Sequence, residues 1–240
     1  MPADRQDTYA RAIRKALSNE RLDAYGFGRT DDEKIANYLW NLELCESLYP
    51  ALHGLEVVLR NAVFTTGAVV LGGTATRDVP CWLDADPPII HPDDQQMIAA
   101  AKARLRERGL PLEPGRLVAE LRFGFWTSLF DVRYERTRVL WPRLLAAQLL
   151  DPSSPRSMRS RKQLSPLLNR IRYLRNRVFH HEPVWHWSNL AGQHSQALDL
   201  IGWFSPAFRY TLEPNDRFPV VYAAGAEPFL EHVRSLTIKI

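Results

Sequence analysis

Cysteine is scarce in this chain: Cys45 and Cys81 are the two thiols in 240 residues. Two cysteines cannot form the disulfide framework of a small secreted scaffold. The simplest expectation is reduced thiols in a cytoplasmic protein. No run of about 18 apolar residues is present, so no membrane span is expected. The opening stretch, "MPADRQDTYARAIRKAL", places charges every few residues. It lacks the apolar core of an export signal. Internal repeats and low-complexity tracts are also missing, which argues against repeat arrays and disordered chains.

Acidic residues are missing from one particular stretch. None occurs between Asp151 and Glu182, whereas Arg156, Arg159, Arg161, Lys162, Arg170, Arg172, Arg175 and Arg177 all fall there. The net charge is only +4, so the basic character is local. A block of one sign suits a polyanion such as a phosphate backbone. It equally suits a solvated face balanced by acids elsewhere in the fold.

What is present reads as helix. The hydrophobic share of 45% is enough for a sizeable core. Helices are expected over about 5–18 and, after the break at "YGFGRT", from the Thr30 cap of "TDDEK" onward. Leu44, Leu48, Leu52, Leu55, Leu59 and Ala62 recur at three- and four-residue steps over 33–70. Pro50 predicts a kink there, or two helices joined near Tyr49. A long loop over 71–95 and a second one at "RGLPLEPG" flank a helix at about 93–108. Further helices are expected at about 115–130, 134–149, 160–181 and 187–202. Pro183 is expected to set the end of the helix over 160–181. The tail after 205 carries no readable pattern. The whole predicts an all-α bundle with long connections.

On the helix over 160–181, Leu164, Leu167, Leu168, Ile171, Leu174 and Val178 make one apolar stripe. Arg175 falls inside this stripe, while Arg170 and Arg177 lie on the opposite side, where water is expected. A buried guanidinium needs a carboxylate, a second subunit or a ligand phosphate. His180 follows five residues after Arg175, about 140° round a regular helix. The two side chains therefore do not share a face. They converge only if Arg175 reaches along the helix, if the last turn unwinds, or if a second subunit completes the site.

The stretch "RNRVFHHEPVW" (175–185) admits three readings of His180 and His181. Histidines at a helix C-terminus suit its negative end. Metal ligation could draw on His180, His181, Glu182 and His186. However, "HEPVWH" is one residue too long for the H-E-x-x-H motif, and Pro183 breaks the helical spacing that motif needs. The third reading is acid–base chemistry on a phosphodiester. Histidine titrates near neutrality, and arginine binds phosphate bidentately. RNA supplies its own nucleophile, the 2′-OH. Cleavage then needs no metal or cofactor and leaves a 2′,3′-cyclic phosphate and a 5′-OH.

"LRNRVFHHEPV" (174–184) resembles the R-x4-6-H signature of the Abi-like proteins of the HEPN superfamily. These are bacterial abortive-infection proteins, typified by lactococcal phage-resistance factors. "YLWNLELCESLYPALHGLEVVLRNAVF" (38–64) is similar to that family's first long helical region, and "LVAELRFGFWTSLF" (117–130) to its F-G-F-W segment. The three blocks stand in the family's order. The resemblance implies a single Abi-like HEPN domain over 1–240, with 1–30 as an N-terminal extension. It implies a homodimer with two motif helices facing across a cleft, and a metal-independent endoribonuclease acting as a toxin in antiviral defence. Its motif residues carry over as Arg175, Asn176 and His180. Phe179 departs from the pattern, where a small residue is expected. Its ring could narrow the cleft or stack on a base.

On this reading His180 is the general acid or base, with His181 as a second proton-transfer group. Arg175 binds the scissile phosphate, and Asn176 orients either group or the substrate. Arg170, Arg172 and Arg177 hold the RNA backbone. Glu56, with Arg60 one turn later, is either half of a surface pair or the partner that holds Arg175. The rival reading is a non-catalytic module that binds RNA, a nucleotide or a protein. The aromatics of "FGFW" (123–126), with Trp40, Trp82, Trp141, Trp185, Trp187 and Trp203, are expected to be packing residues. Neither cysteine has a neighbouring base, so no thiol nucleophile is expected.

Overall fold

A computed structural model describes residues 2–72, 81–85 and 88–236. Among these residues the fold is all-α, with no strand. The helices are α1 (Pro2–Leu17), α2 (Asn19–Asp23), α3 (Asp31–Leu71), α4 (Pro92–Glu107), α5 (Pro114–Glu120), α6 (Phe123–Ser128) and α7 (Val132–Arg136). They continue with α8 (Arg143–Ala146), α9 (Arg161–Phe179), α10 (Leu190–Phe204), α11 (Pro206–Leu212), α12 (Phe218–Ala224) and α13 (Glu227–Ser235). The chain divides into two compact units, each assembled from separate stretches of sequence. The first comprises Met1–Pro50, Leu174–His194 and Asn215–Ile240; the second comprises Ala51–Tyr173 and Ser195–Pro214.

The start of α3 follows the local chemistry. The Thr30 hydroxyl accepts from Glu33 N at 3.4 Å, and the Glu33 carboxylate accepts from Thr30 N at 2.9 Å. This is a reciprocal capping box, with acids in the first turn facing the helix's positive end. Pro50 does not divide the helix. α3 runs unbroken for 41 residues with the proline inside it, so the expectation of two helices joined near Tyr49 is corrected. The apolar stripe explains why: Leu44, Leu48, Leu52, Leu55 and Leu59 are all buried, and Val63 continues the stripe in place of the expected Ala62, which is only half-buried. Burying six large side chains outweighs the one backbone bond that proline removes. By length and composition α3 could also cross a membrane, which the residue pattern did not anticipate. Its buried stripe is that of a core helix.

In the first unit, α1, α2, α3 and α13 close around Leu22, Ile35 and Val233, with Tyr9, Ile13, Leu17 and Leu39 packed alongside. Arg14 clasps Asp31 through two hydrogen bonds, one of 2.7 Å from Nε. Lys34 reaches Asp23 at 2.6 Å. His194 is buried between the Phe218 ring, 4.3 Å away centroid to centroid, and Asp216, 3.0 Å from its Nε2. The tail that carried no pattern supplies α11, α12 and α13; residues 237–240 lie outside those described.

In the second unit a buried carboxylate organises the polar core. Asp94, only 1% exposed, accepts from the Tyr134 hydroxyl at 2.5 Å, Arg133 at 2.6 Å and Ser128 at 2.9 Å. These bonds satisfy a buried charge that would otherwise be costly. Two expected helices are corrected here. The 115–130 helix breaks at Leu121 and Arg122, whose ψ angles are 123° and 160°. The break frees the Leu121 carbonyl, which accepts from Trp126 Nε1 at 3.2 Å. Phe123, Phe125, Trp126, Leu129 and Phe130 are all buried, as the aromatic cluster predicted. The 134–149 helix is reduced to α7 and α8. Trp141 precedes Pro142, a position that disfavours helix, and its Nε1 donates to Leu129 O at 2.8 Å. In the expected loop over 71–95, residues 82–84 form a 3-10 turn and α4 begins at Pro92; residues 73–80, 86 and 87 lie outside the described set.

Candidate active site

α9 carries the arginine–histidine motif at its C-terminal end. Its start is capped by Ser160, whose hydroxyl accepts from Gln163 N at 3.2 Å. Leu164, Leu168, Ile171, Leu174 and Val178 are buried as the stripe predicts, while Leu167 is only half-buried.

The helix does not end through Pro183, which stands four residues beyond its last residue, Phe179. It ends through His181, whose φ is +59°. Glu182 N returns to Arg177 O at 2.8 Å, and His181 N to Val178 O at 3.2 Å. These paired bonds are a Schellman termination with histidine at the left-handed position, where glycine is usual. His180 N still donates to Asn176 O at 2.9 Å. The helical register therefore extends through His180, and the 140° offset from Arg175 persists. The unwinding that could have brought the two side chains together starts one residue too late.

The segment after the helix is pinned from two sides within the first unit. The side-chain oxygen of Asn41, in α3, accepts from Val184 N at 2.8 Å and from Trp185 N at 3.1 Å. Arg21, in the last turn of α2, donates to the carbonyl of His181. Asn41 is buried and also donates to the Tyr25 hydroxyl at 3.4 Å. Burial pushes the Tyr25 phenol up to about 12 and the neighbouring Cys45 thiol up to about 11. Cys45 therefore keeps its proton at neutral pH.

Each predicted residue has a definite place. His180, His181 and Asn176 are exposed at the end of α9. Arg175 is half-buried, its guanidinium carbon 4.3 Å from the centre of the Phe179 ring. Phe179 in turn stacks on Tyr49, with ring centres 5.7 Å apart and planes 30° from parallel. Arg177, expected in water on the side opposite the stripe, is half-buried instead. It pairs with Glu182 at 2.9 Å, donates to Pro183 O at 3.2 Å and lies 5.4 Å from the centre of the Trp187 ring. Its side chain is thus engaged in holding the post-helix turn. Desolvation, with help from the Arg177 charge, lowers the His186 pKa below its ordinary value.

The remaining residues lie in the second unit. Arg170 is exposed and Arg172 half-buried, its Nη1 close to Gly124. Glu56 is half-buried on α3 and belongs to the second unit, whereas Arg175 belongs to the first. Among the described residues, no three His, Cys, Asp or Glu side chains gather as a metal site.

Asn41, Arg21 and Tyr49 escaped the sequence reading. Asn41 had a legible signal. Extending the α3 stripe backward from Leu48 and Leu44 reaches Asn41 and then Asn37, both buried. An amide at a core position must find partners. Asn37 finds Tyr25 O at 2.9 Å. Arg21 and Tyr49 had no such signal, since their partners lie more than a hundred residues away. Compared with models of protein families, with curated proteins and with solved structures, the chain matches none.

Proposed function

We propose that the chain is a cytoplasmic, homodimeric Abi-like HEPN protein, a metal-independent endoribonuclease serving as a toxin-like effector in bacterial antiphage defence. The observation that carries this reading is the end of α9. Arg175 is half-buried, while His180 is exposed on a turn locked from behind by Asn41 and Arg21. A phosphate-binding cation and a proton-transfer group are thereby held on rigid backbone, as acid–base catalysis requires.

The 140° offset within one helix is resolved by a second copy of the chain. Two α9 ends facing across a cleft would place one chain's Arg175 opposite the other's His180. In the reaction, the 2′-oxygen attacks phosphorus and the P–O5′ bond breaks. One histidine takes the 2′-OH proton, and a protonated one returns a proton to the leaving O5′. Arg175 offsets the charge that grows on the phosphoryl oxygens. Asn176, exposed one residue after Arg175, orients the substrate, and His181 is a second proton carrier.

The test is RNA cleavage in EDTA by the wild type, Arg175→Ala and His180→Ala, with analysis of product ends. Cleavage to 2′,3′-cyclic phosphates that is lost in both folded variants supports the enzyme. A folded wild type that binds RNA but cuts none of a broad panel supports the second reading, a non-catalytic RNA-binding HEPN module. One observation favours that alternative: the Arg175 guanidinium already rests on the Phe179 ring, a posture suited to binding.

A further inference from the structure

Arg175, Phe179 and Tyr49 form a graded stack beside the exposed histidines. The guanidinium covers the Phe179 ring at 4.3 Å, and Phe179 stacks on Tyr49 at 5.7 Å. The outer members of an ordinary core cluster would be covered. Here Tyr49 is 47% exposed and Phe179 37% exposed. The two rings come from helices 130 residues apart in sequence, and both lie in the first unit. Phe179 immediately precedes His180. A cation, two stacked rings and open aromatic surface are the components with which proteins hold unpaired nucleotides.

Resting on the ribonuclease reading above, we infer that Tyr49 and Phe179 are a stacking platform for an unpaired base next to the scissile phosphate. Tyr49 takes the base on its exposed surface. Phe179 sets the tilt of Tyr49 and fixes Arg175 at the phosphate side. A duplex base is already stacked on both faces and cannot use the platform without being flipped out. The bulky residue at 179, where a small one is expected, is then a specificity device.

The experiment measures binding of a 2′-O-methyl single-stranded oligonucleotide carrying one 2-aminopurine, which the reaction cannot cleave, and of the matching duplex. Full-length wild type, Tyr49→Phe and Tyr49→Leu are compared, with thermal melting as the fold control. Tyr49→Leu keeps apolar bulk but removes the ring. It is expected to weaken single-strand binding about tenfold, within the range for one base–aromatic stack, and to abolish 2-aminopurine quenching. Tyr49→Phe stays close to wild type, and duplex binding is unchanged in both. If wild type cleaves unmodified RNA and Tyr49→Leu matches it in affinity and quenching, the platform is wrong and the nuclease reading stands; if wild type binds without cleaving and Tyr49→Leu matches it, the platform is wrong and the binding-module reading is favoured. If wild type neither binds nor cleaves RNA, both fall.

Discussion

Asn41 holds Val184: its side-chain oxygen lies 2.8 Å from the Val184 backbone nitrogen, across 143 positions of sequence. The same oxygen takes the next amide, Trp185 N, at 3.1 Å. One buried side chain thus satisfies two consecutive backbone donors in the turn that follows His180 and His181. The end of α9 is positioned by this contact as much as by the helix itself.

Replacing Asn41 with leucine leaves both amides without this partner, the Val184 amide in a buried position and the Trp185 amide in a partly buried one. Each unsatisfied group costs about 1–3 kcal/mol, so Asn41→Leu is expected to lower stability by roughly 2–4 kcal/mol. Urea denaturation measures the loss. Hydrogen exchange at Val184 and Trp185 should speed up well before global unfolding. Unchanged protection at both amides would refute the pinning role.

His181 occupies the left-handed position of a Schellman turn, which strains any residue with a Cβ. His181→Gly removes that strain and is expected to stabilise the protein by about 0.5–1 kcal/mol, the greater freedom of glycine in the unfolded chain offsetting part of the gain. His181→Val is expected to destabilise it. On the proposed ribonuclease reading, His181→Gly also separates the two histidines functionally: if His180 carries the essential proton, cleavage survives in this variant.

Acid should loosen the first unit. The hydrogen bonds from Arg14 hold the Asp31 carboxyl below its ordinary range, and Lys34 does the same for Asp23. A lowered carboxyl pKa contributes stability that is complete above the unfolded value of about 3.9 and is lost as pH falls through the folded value. Melting temperature is therefore expected to drop below about pH 4. Asp31→Asn should flatten that part of the profile. An identical acid limb in wild type and variant would exclude the Arg14–Asp31 pair as its source.

Both thiols should be sluggish in the native protein. Burial raises Cys45 to about 11 and shifts Cys81 upward as well. At pH 8 the reactive thiolate is therefore scarce. Labelling by a disulfide reagent is expected to be slow in buffer and fast in denaturant. Rapid native labelling of Cys45 would show that its environment is more open than its contacts imply.

The α class, the capping box at Thr30 and the buried stripe of α9 were legible because they depend on residues a few positions apart. Helical periodicity and caps are local physics, and Leu164, Leu168, Ile171, Leu174 and Val178 face inward as their spacing requires. That Arg175 and Asn176 lie near the C-terminal end of this helix was legible for the same reason. Tertiary structure decided what local pattern cannot encode. The break at Leu121–Arg122 exists because Trp126 and its neighbours are buried on both sides of it, and a buried indole needs an acceptor. Pro50 stays within α3 because the stripe on either side of it is buried. Arg177 left the water for Glu182 and Trp187 once the Schellman turn folded the chain back, and the turn itself is held by Asn41 and Arg21. Periodicity along a helix tells which side faces inward. Only the partners brought together by folding determine which polar groups on that side are satisfied, and where the helix stops.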